Sequence, residues 1–220
     1  MIRPGEPWGS PTSAPPDFEV SGGDRALAAS VAAAPGALVR FHPDATSDLA
    51  RAVGLGRADG GHEPIGTELP LDALELADSG MVCNMCVFGT APDRLRWSSP
   101  AFDVVVELDD RPWFAGPATT VVIAIGQFLR GNDLVPRGHP GDGKAEVQVY
   151  DLERRERRSM RNRLATGVHV PHPRIHQRSA RKIKFRSEPP APWEVDGSPD
   201  ATWTAITSIS VVPGAYRLLV

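Results

Sequence analysis

The chain has 220 residues, with 24 Lys and Arg against 27 Asp and Glu, a formal net charge of −3, and 41% hydrophobic residues. That balance excludes collagen, coiled coil and wholesale disorder, and no apolar run reaches the ~18–20 residues that a membrane-spanning helix needs. Two cysteines, Cys83 and Cys86, are too few for a secreted disulfide framework, so a cytoplasmic protein is expected, with peripheral contact at the inner membrane surface as a further option.

Residues 1–18 are rich in proline, glycine and serine and read as an extended arm. Phe18–Val20 reads as a short strand, Gly22–Asp24 as a turn, and Arg25–Ala34 as an alanine-rich helix stopped by Pro35-Gly36. Ala37–Phe41 is a second β-type run, His42–Ser47 a turn, and Asp48–Val53 a second helix closed by Gly54. Strand, helix, strand, helix is a piece of an α/β layer. After a loop at Gly56–Gly66 the apolar segments become short, β-branched and punctuated by turn residues, so the rest reads as mainly β. The spacing predicts strands at Leu69–Ala77, Met81–Phe88, Val104–Leu108, Thr120–Gly126, Ala145–Tyr150, Arg181–Phe185, Trp193–Val195, Ser208–Val212 and Tyr216–Val220. Helices are predicted over Leu152–Leu164 and, weakly, over Pro92–Arg96. This divides the chain into the arm (1–18), a shortened α/β lobe (19–60), a larger antiparallel β lobe (61–207) and closing strands (208–220).

Charge is uneven. Arg154 to Arg186 holds twelve Lys and Arg against one acid, Glu156, about +11, while the remainder holds twelve basic and 26 acidic residues, about −14. Either the segment forms a basic face, able to meet anionic lipid, nucleotide phosphates or RNA, or its cations meet acidic neighbours in a solvated helix and strand. With the tryptophans scattered and no stacking array in view, no specific nucleic acid is expected.

Several motifs could carry chemistry. Gly22-Gly23-Asp24 lies between a strand and a helix, where glycine lets the backbone approach a phosphate; equally, it is a plain turn with Asp24 as a helix cap. Cys83 and Cys86 have C-x-x-C spacing but lack the second ligand pair of a zinc site, and read as buried small residues on opposite faces of a strand. His169, His172 and His176 are close in sequence, with His139 further off, and a zinc site among them is a weak reading.

Taken in order, these motifs resemble the diacylglycerol kinase family, lipid kinases distantly related to NAD kinases. Gly22-Gly23-Asp24-Arg25-Ala26 stands where that family has Gly-Gly-Asp-Gly-Thr, and Asp44-Ala45-Thr46-Ser47-Asp48 stands where it has Gly-Thr-Gly-Asn-Asp before a helix. Met81–Gly89 with Asn84, Val121–Pro136, Gly141–Val147, Gly167–Pro173, Arg181–Phe185, Glu194–Gly197 and Val211–Leu219 resemble the family's later strands and turns. The resemblance implies an α/β lobe packed on a β lobe, with the last strands returning to the first lobe. It implies ATP and Mg²⁺ as cofactors if the protein is active, and a lipid or small-molecule acceptor. It assigns Gly22, Gly23, Asp24, Thr46, Ser47 and Asp48 to the nucleotide, Asp196 to the catalytic base, and Asp142 to a structural magnesium.

Arg25, Asp44, Ala45 and Thr46 depart from the family pattern, Asp44 by adding negative charge, and Ser198 replaces the glutamate after Asp196-Gly197. In the resembled enzymes further strand and helix units precede the first loop, so part of the nucleotide site is expected to be missing. Three function classes follow: a degenerate member that binds lipid, a protein partner or a second copy of itself; an active lipid kinase; and, as the least favoured, an RNA-associated protein acting through the basic segment Arg154–Arg186.

Overall fold

The computed structural model describes residues 7–55, 66–77, 80–200 and 206–220. The expected loop at Gly56–Gly66 therefore lies outside the described residues, apart from Gly66.

The order begins with β1 (Ser10–Thr12), β2 (Phe18–Gly22), α1 (Asp24–Ala33), β3 (Leu38–Pro43) and α2 (Asp48–Val53). β2 and β3 are parallel, as a strand–helix–strand unit requires, from Phe18 opposite Val39 to Gly22 opposite Pro43. α1 buries Leu27, Ala28 and Val31 against this pair. α2 starts at Ser47, whose hydroxyl accepts from Ala50 N at 3.0 Å, and stops at Gly54 in the left-handed region.

β4 (Gly66–Leu76) and β5 (Gly80–Val82) follow in the same sheet, and β6 (Met85–Gly89) enters a second one. A 3₁₀ turn at Pro92–Arg94 leads to β7 (Phe102–Leu108), β8 (Arg111–Ala118) and β9 (Thr120–Ala124). Next come the short pair β10 (Phe128–Leu129) and β11 (Asn132–Asp133), then β12 (Ala145–Tyr150), α3 (Arg154–Arg161), β13 (Ile175–Ala180) and β14 (Lys182–Glu188). β15 (Trp193–Val195), β16 (Ser198–Asp200) and β17 (Ile206–Leu219) close the chain.

Among the described residues two large sheets form. The first runs β1-β4-β17-β14-β7-β8, with β2 and β3 joined beside β17 and β5 beside β4; the second runs β13-β12-β9-β6-β15-β16. They pack face to face over Phe88, Val106, Ile123, Val147, Ile183 and Phe185. β14 alternates strictly, Ile183, Phe185 and Ser187 inward and Lys182, Lys184 and Arg186 outward, because its sheet is wet on the other side. β9 and β12 are buried along their whole length, since the second sheet is also covered on its outer face by α3 and the loops around Leu95, Leu134 and Leu164.

The structure differs from the sequence reading in several places. Ser10–Thr12 pairs with Gly66–Glu68, so the arm is tied down over its second half. Met81–Phe88 is two strands, because the chain leaves the first sheet for the second at Cys83-Asn84. Ser208–Val212 and Tyr216–Val220 are one strand with a register shift between Val212 and Tyr216. β8, β10, β11, β13 and β16 went unforeseen.

Candidate functional site at the lobe junction

Three carboxylates lie where the α/β lobe meets the β lobe. Asp24, at the first position of α1, reaches to the start of α2, accepting from Ser47 Oγ at 2.5 Å, Leu49 N at 3.0 Å and Asp48 N at 3.1 Å. It thus satisfies free N–H groups of a neighbouring helix. Burial pushes its carboxyl up to about 6, against the pull of the Ser47 and Leu49 hydrogen bonds.

Asp48 faces the other way. Its oxygens accept from Gly131 N at 2.8 Å and from Arg130 N, at the tip joining β10 to β11. The Arg130 guanidinium then spans two more acids, Asp93 at 2.6 and 2.9 Å and Glu194 at 3.0 and 3.1 Å. One hairpin tip therefore joins α2 to the Pro92–Arg94 turn and to β15.

Asp196 and Gly197 both have positive φ, 49° and 74°, and form the two-residue turn between β15 and β16. The turn lays the Asp196 carboxylate on the crossover between sheets, where it accepts from Asn84 N at 2.9 Å and from Cys83 N and Met85 N at 3.1 Å. Burial, with the Asp24 charge adding to it, pushes Asp196 up to about 7. Burial likewise raises the Cys83 thiol and the Tyr216 phenol, so both stay protonated at neutral pH. Cys83 belongs to the core of the α/β lobe and Cys86 to that of the sandwich, because Cys83 lies in the crossover between the sheets and Cys86 in β6, not on opposite faces of one strand as expected. Beside them the buried Asn84 donates to Phe128 O at 3.1 Å, and its Oδ1 stands 2.0 Å from where a Cβ on Gly126 would lie. Only glycine fits there.

The glycine loop is faced by Asp44. Its Oδ1 accepts from Thr46 Oγ1 at 2.6 Å and Thr46 N at 2.7 Å, and these bonds hold the Asp44 carboxyl below its ordinary range. Both Asp44 oxygens lie 3.7 Å from the point a Cβ on Gly23 would occupy, and Thr46 Oγ1 lies 3.0 Å from it. A cleft of about 530 Å³ opens beside this loop, lined by Pro43, Asp44, Ala45, Ser47, Ala50 and Arg51.

The predicted residues Gly22, Gly23, Asp24, Thr46, Ser47 and Asp48 thus meet in one place, with Asp196 close enough to feel the Asp24 charge. Asp142 lies elsewhere, in the turn before β12, where its Oδ1 accepts from Lys144 N at 3.0 Å. The nearby buried Asp72 has both oxygens engaged, by Gly143 N at 2.6 Å and Gly214 N at 2.9 Å. Among the described residues no group of three or more His, Cys, Asp or Glu is gathered as metal ligands. The histidines diverge: His139 packs on Trp8, His176 on Phe114, and His169 Nε2 lies 3.5 Å from the Tyr150 hydroxyl.

Sequence reasoning missed Asp72, Asp93, Arg130 and Glu194. An aspartate inside the apolar run of β4 was a usable signal for Asp72, since a buried carboxylate must find donors. Arg130-Gly131 is not one of the strong hairpin dipeptides and gave none.

A mixed lobe joined to a β-sandwich is the fold of the diacylglycerol kinase-like and NAD kinase-like proteins. A solved diacylglycerol kinase from Bacillus anthracis str. Sterne superposes with a TM-score of 0.71 at 16% identity, covering 92% of this chain and 75% of that one. Yeast NADH kinase complexed with NADH gives 0.51 at 14% identity (92% and 61%), and an Archaeoglobus fulgidus NAD kinase in complex with ATP gives 0.51 at 12% (92% and 76%). No curated protein matches the sequence. The family described as the YegS C-terminal NAD kinase beta sandwich-like domain matches residues 90–220, more than half of the chain, and the chain belongs to that family.

Proposed function

We propose that this diacylglycerol kinase-like protein has weak or no phosphoryl transfer and serves as a lipid- or partner-binding module. The observation that carries this reading is the Asp44 carboxylate, held by Thr46 beside Gly23 on the ground a polyphosphate would take. A phosphate there meets a fixed negative charge instead of bare glycine backbone. Phosphoryl transfer depends on positioning and charge stabilisation, so such a loop lowers the rate by several powers of ten. Asp196 supports the same reading, because its oxygens already accept from three backbone N–H groups and a base needs a lone pair aimed at the acceptor hydroxyl. The loop residues as arranged, with Asp44 against Gly23, do not fit the phosphates of ATP.

The second reading is an active ATP-dependent kinase acting on a lipid or lipid-like hydroxyl. The observation favouring it is the Asp196 carboxyl raised to about 7, where a general base works best near neutrality.

Calorimetry with Mg²⁺-ATP separates the two. The wild type is expected to show no binding at millimolar nucleotide, and Asp44→Gly to gain measurable affinity. Micromolar binding by the wild type, lost in Asp24→Ala, overturns the first reading in favour of the kinase.

A further inference from the structure

We propose that the cavity between α3 and the loop carrying His169 and His172 binds the phosphate group of a small soluble phosphomonoester. The cavity has a volume of about 310 Å³ and is lined by Arg155, Glu156, Ser159, Arg163, His169 and His172, over the buried Met160. Arg155 and Ser159 stand one turn apart on α3, and Arg163 follows four residues later, just past the helix end, so the three share one stripe on the cavity side.

The two imidazole rings face this stripe with nitrogens still to satisfy. His172 Nδ1 accepts from Arg174 N at 3.1 Å, which places the proton of the neutral ring on Nε2 and makes that nitrogen a donor. His169 is 1% exposed, its Nε2 lies 3.5 Å from the Tyr150 hydroxyl, and its Nδ1 has no hydrogen-bond partner among the described residues. The Leu134 carbonyl and Asp133 oppose the effect of burial on this ring without supplying that bond. A buried ring nitrogen left open on a cavity wall costs the fold free energy, and a group entering the cavity recovers it.

The charges of the lining favour an anion. Arg163 is exposed and has no carboxylate partner among the described residues. Arg155 spends Nε on Glu153 at 2.8 Å, which leaves its two amino groups for a ligand. Glu156, the one acid of the lining, is already engaged: its Oε2 accepts from Glu153 N at 2.8 Å in the capping box and lies 3.6 Å from Arg174 Nε. What remains is two guanidinium groups, a hydroxyl and an imidazole N–H around a carboxylate whose charge is offset.

That donor set suits a phosphate group, whose three terminal oxygens can each accept from a different side chain, better than a carboxylate with two. Two histidines and a glutamate do not make this a metal site, because the three are not gathered as ligands and two cations share the wall. The volume stands at the lower end for small-molecule sites, enough for a phosphate with a short organic tail. None of the residues around Gly23, Asp44 and Asp48 lines this cavity, so the inference holds under either reading of the lobe junction.

The test is calorimetric titration with glycerol 3-phosphate and with inorganic phosphate at constant ionic strength, followed in parallel by the imidazole nitrogen resonances. Both probes are expected to bind and to move the resonances of His169 and His172. Arg163→Gln should weaken binding on the order of tenfold, the loss of a charge-assisted hydrogen bond. His172→Asn keeps an acceptor for Arg174 N but removes the Nε2 donor, and should weaken binding about fivefold. Arg178→Gln removes an exposed arginine of β13 that is outside the lining and should leave the affinity unchanged. Circular dichroism of each variant confirms that it folds. The proposal is overturned if neither probe binds at millimolar concentration, if binding leaves both histidine resonances in place, if Arg178→Gln costs as much as Arg163→Gln, or if vesicles carrying phosphatidic acid bind where glycerol 3-phosphate does not.

Discussion

Asp196 is a carboxylate buried under three N–H donors and beside a second acid, and its titration decides how the junction responds to pH. In the folded chain it is raised to about 7 and Asp24 to about 6, both from 3.8. The folded state thus holds these protons more tightly than the unfolded one. Their contribution to stability is complete below about pH 4 and is lost as pH rises through 6 and then 7. His169 acts in the opposite sense, since burial pushes its imidazole below 6.5 and its contribution is lost as pH falls. The cleaner observable is therefore a difference between variants. Asp196→Asn has nearly the same shape and cannot ionise, so the wild type should gain stability over it on going from about pH 8 to pH 5, by on the order of a few kcal/mol. Urea unfolding of both proteins across that range checks this. A flat difference would mean that Asp196 stays ionised throughout.

At the scale of elements, the hairpin of β10 and β11 depends wholly on its anchors. Two strands of two residues do not persist alone in water. Asp48 holds the tip by its backbone and Arg130 holds it by its side chain, so Arg130→Ala leaves Asp93 without its cation and the buried Glu194 with Arg94 alone, 3.6 Å away. The expected loss is about 2–4 kcal/mol, below the fully buried range because part of the guanidinium meets solvent. Lysine cannot make four bonds in that fork and should recover less than half of it. Denaturant unfolding reads the loss, and faster hydrogen exchange at Gly131 locates it. Legibility follows the same physics of anchoring and cover. α2 carries a serine cap and a glycine stop, α1 and β3 carry regularly spaced apolar residues, and β14 alternates cleanly, so all four could be read. β8 and β13 lie at sheet edges, where little apolar surface is buried and Pro112, Gly116 and Pro117 are tolerated, so their sequences lack a strand signature. The break at Cys83-Asn84 was invisible because both halves are apolar and only the hydrogen-bond partners change. Of the site, the glycine loop, Asp24, Ser47, Asp48 and Asp196 were legible from motif order, whereas the Arg130 clamp joins residues distant in sequence.

At the scale of the whole molecule, one strand belongs to both lobes. The first part of β17 pairs with β14 and β4 in the sandwich, and Arg217–Leu219 pairs in parallel with Leu38–Arg40 of the α/β lobe. Between them the register shifts from Val212 to Tyr216, and Asp72 on β4 holds the irregular stretch by accepting from Gly214 N. The shift lets Tyr216 and Leu218 face the core under α1 while Ile209 faces the sandwich core. A strand that loses such a bulge presents its side chains to the wrong face. Asp72→Ala leaves the buried Gly143 N–H without an acceptor, a loss of about 1–3 kcal/mol, and releases the exposed Gly214 N–H to water. That loss acts on the link and on neither core directly. In the wild type, amides of β3 and of β14 should exchange through the same global opening. In Asp72→Ala the β3 amides should exchange faster by about tenfold to a hundredfold while the β14 amides lag behind them, because the sandwich keeps its own pairing when the second half of β17 loosens. Equal acceleration in both strands would instead mean that the lobes unfold as one unit with or without the Asp72 anchor.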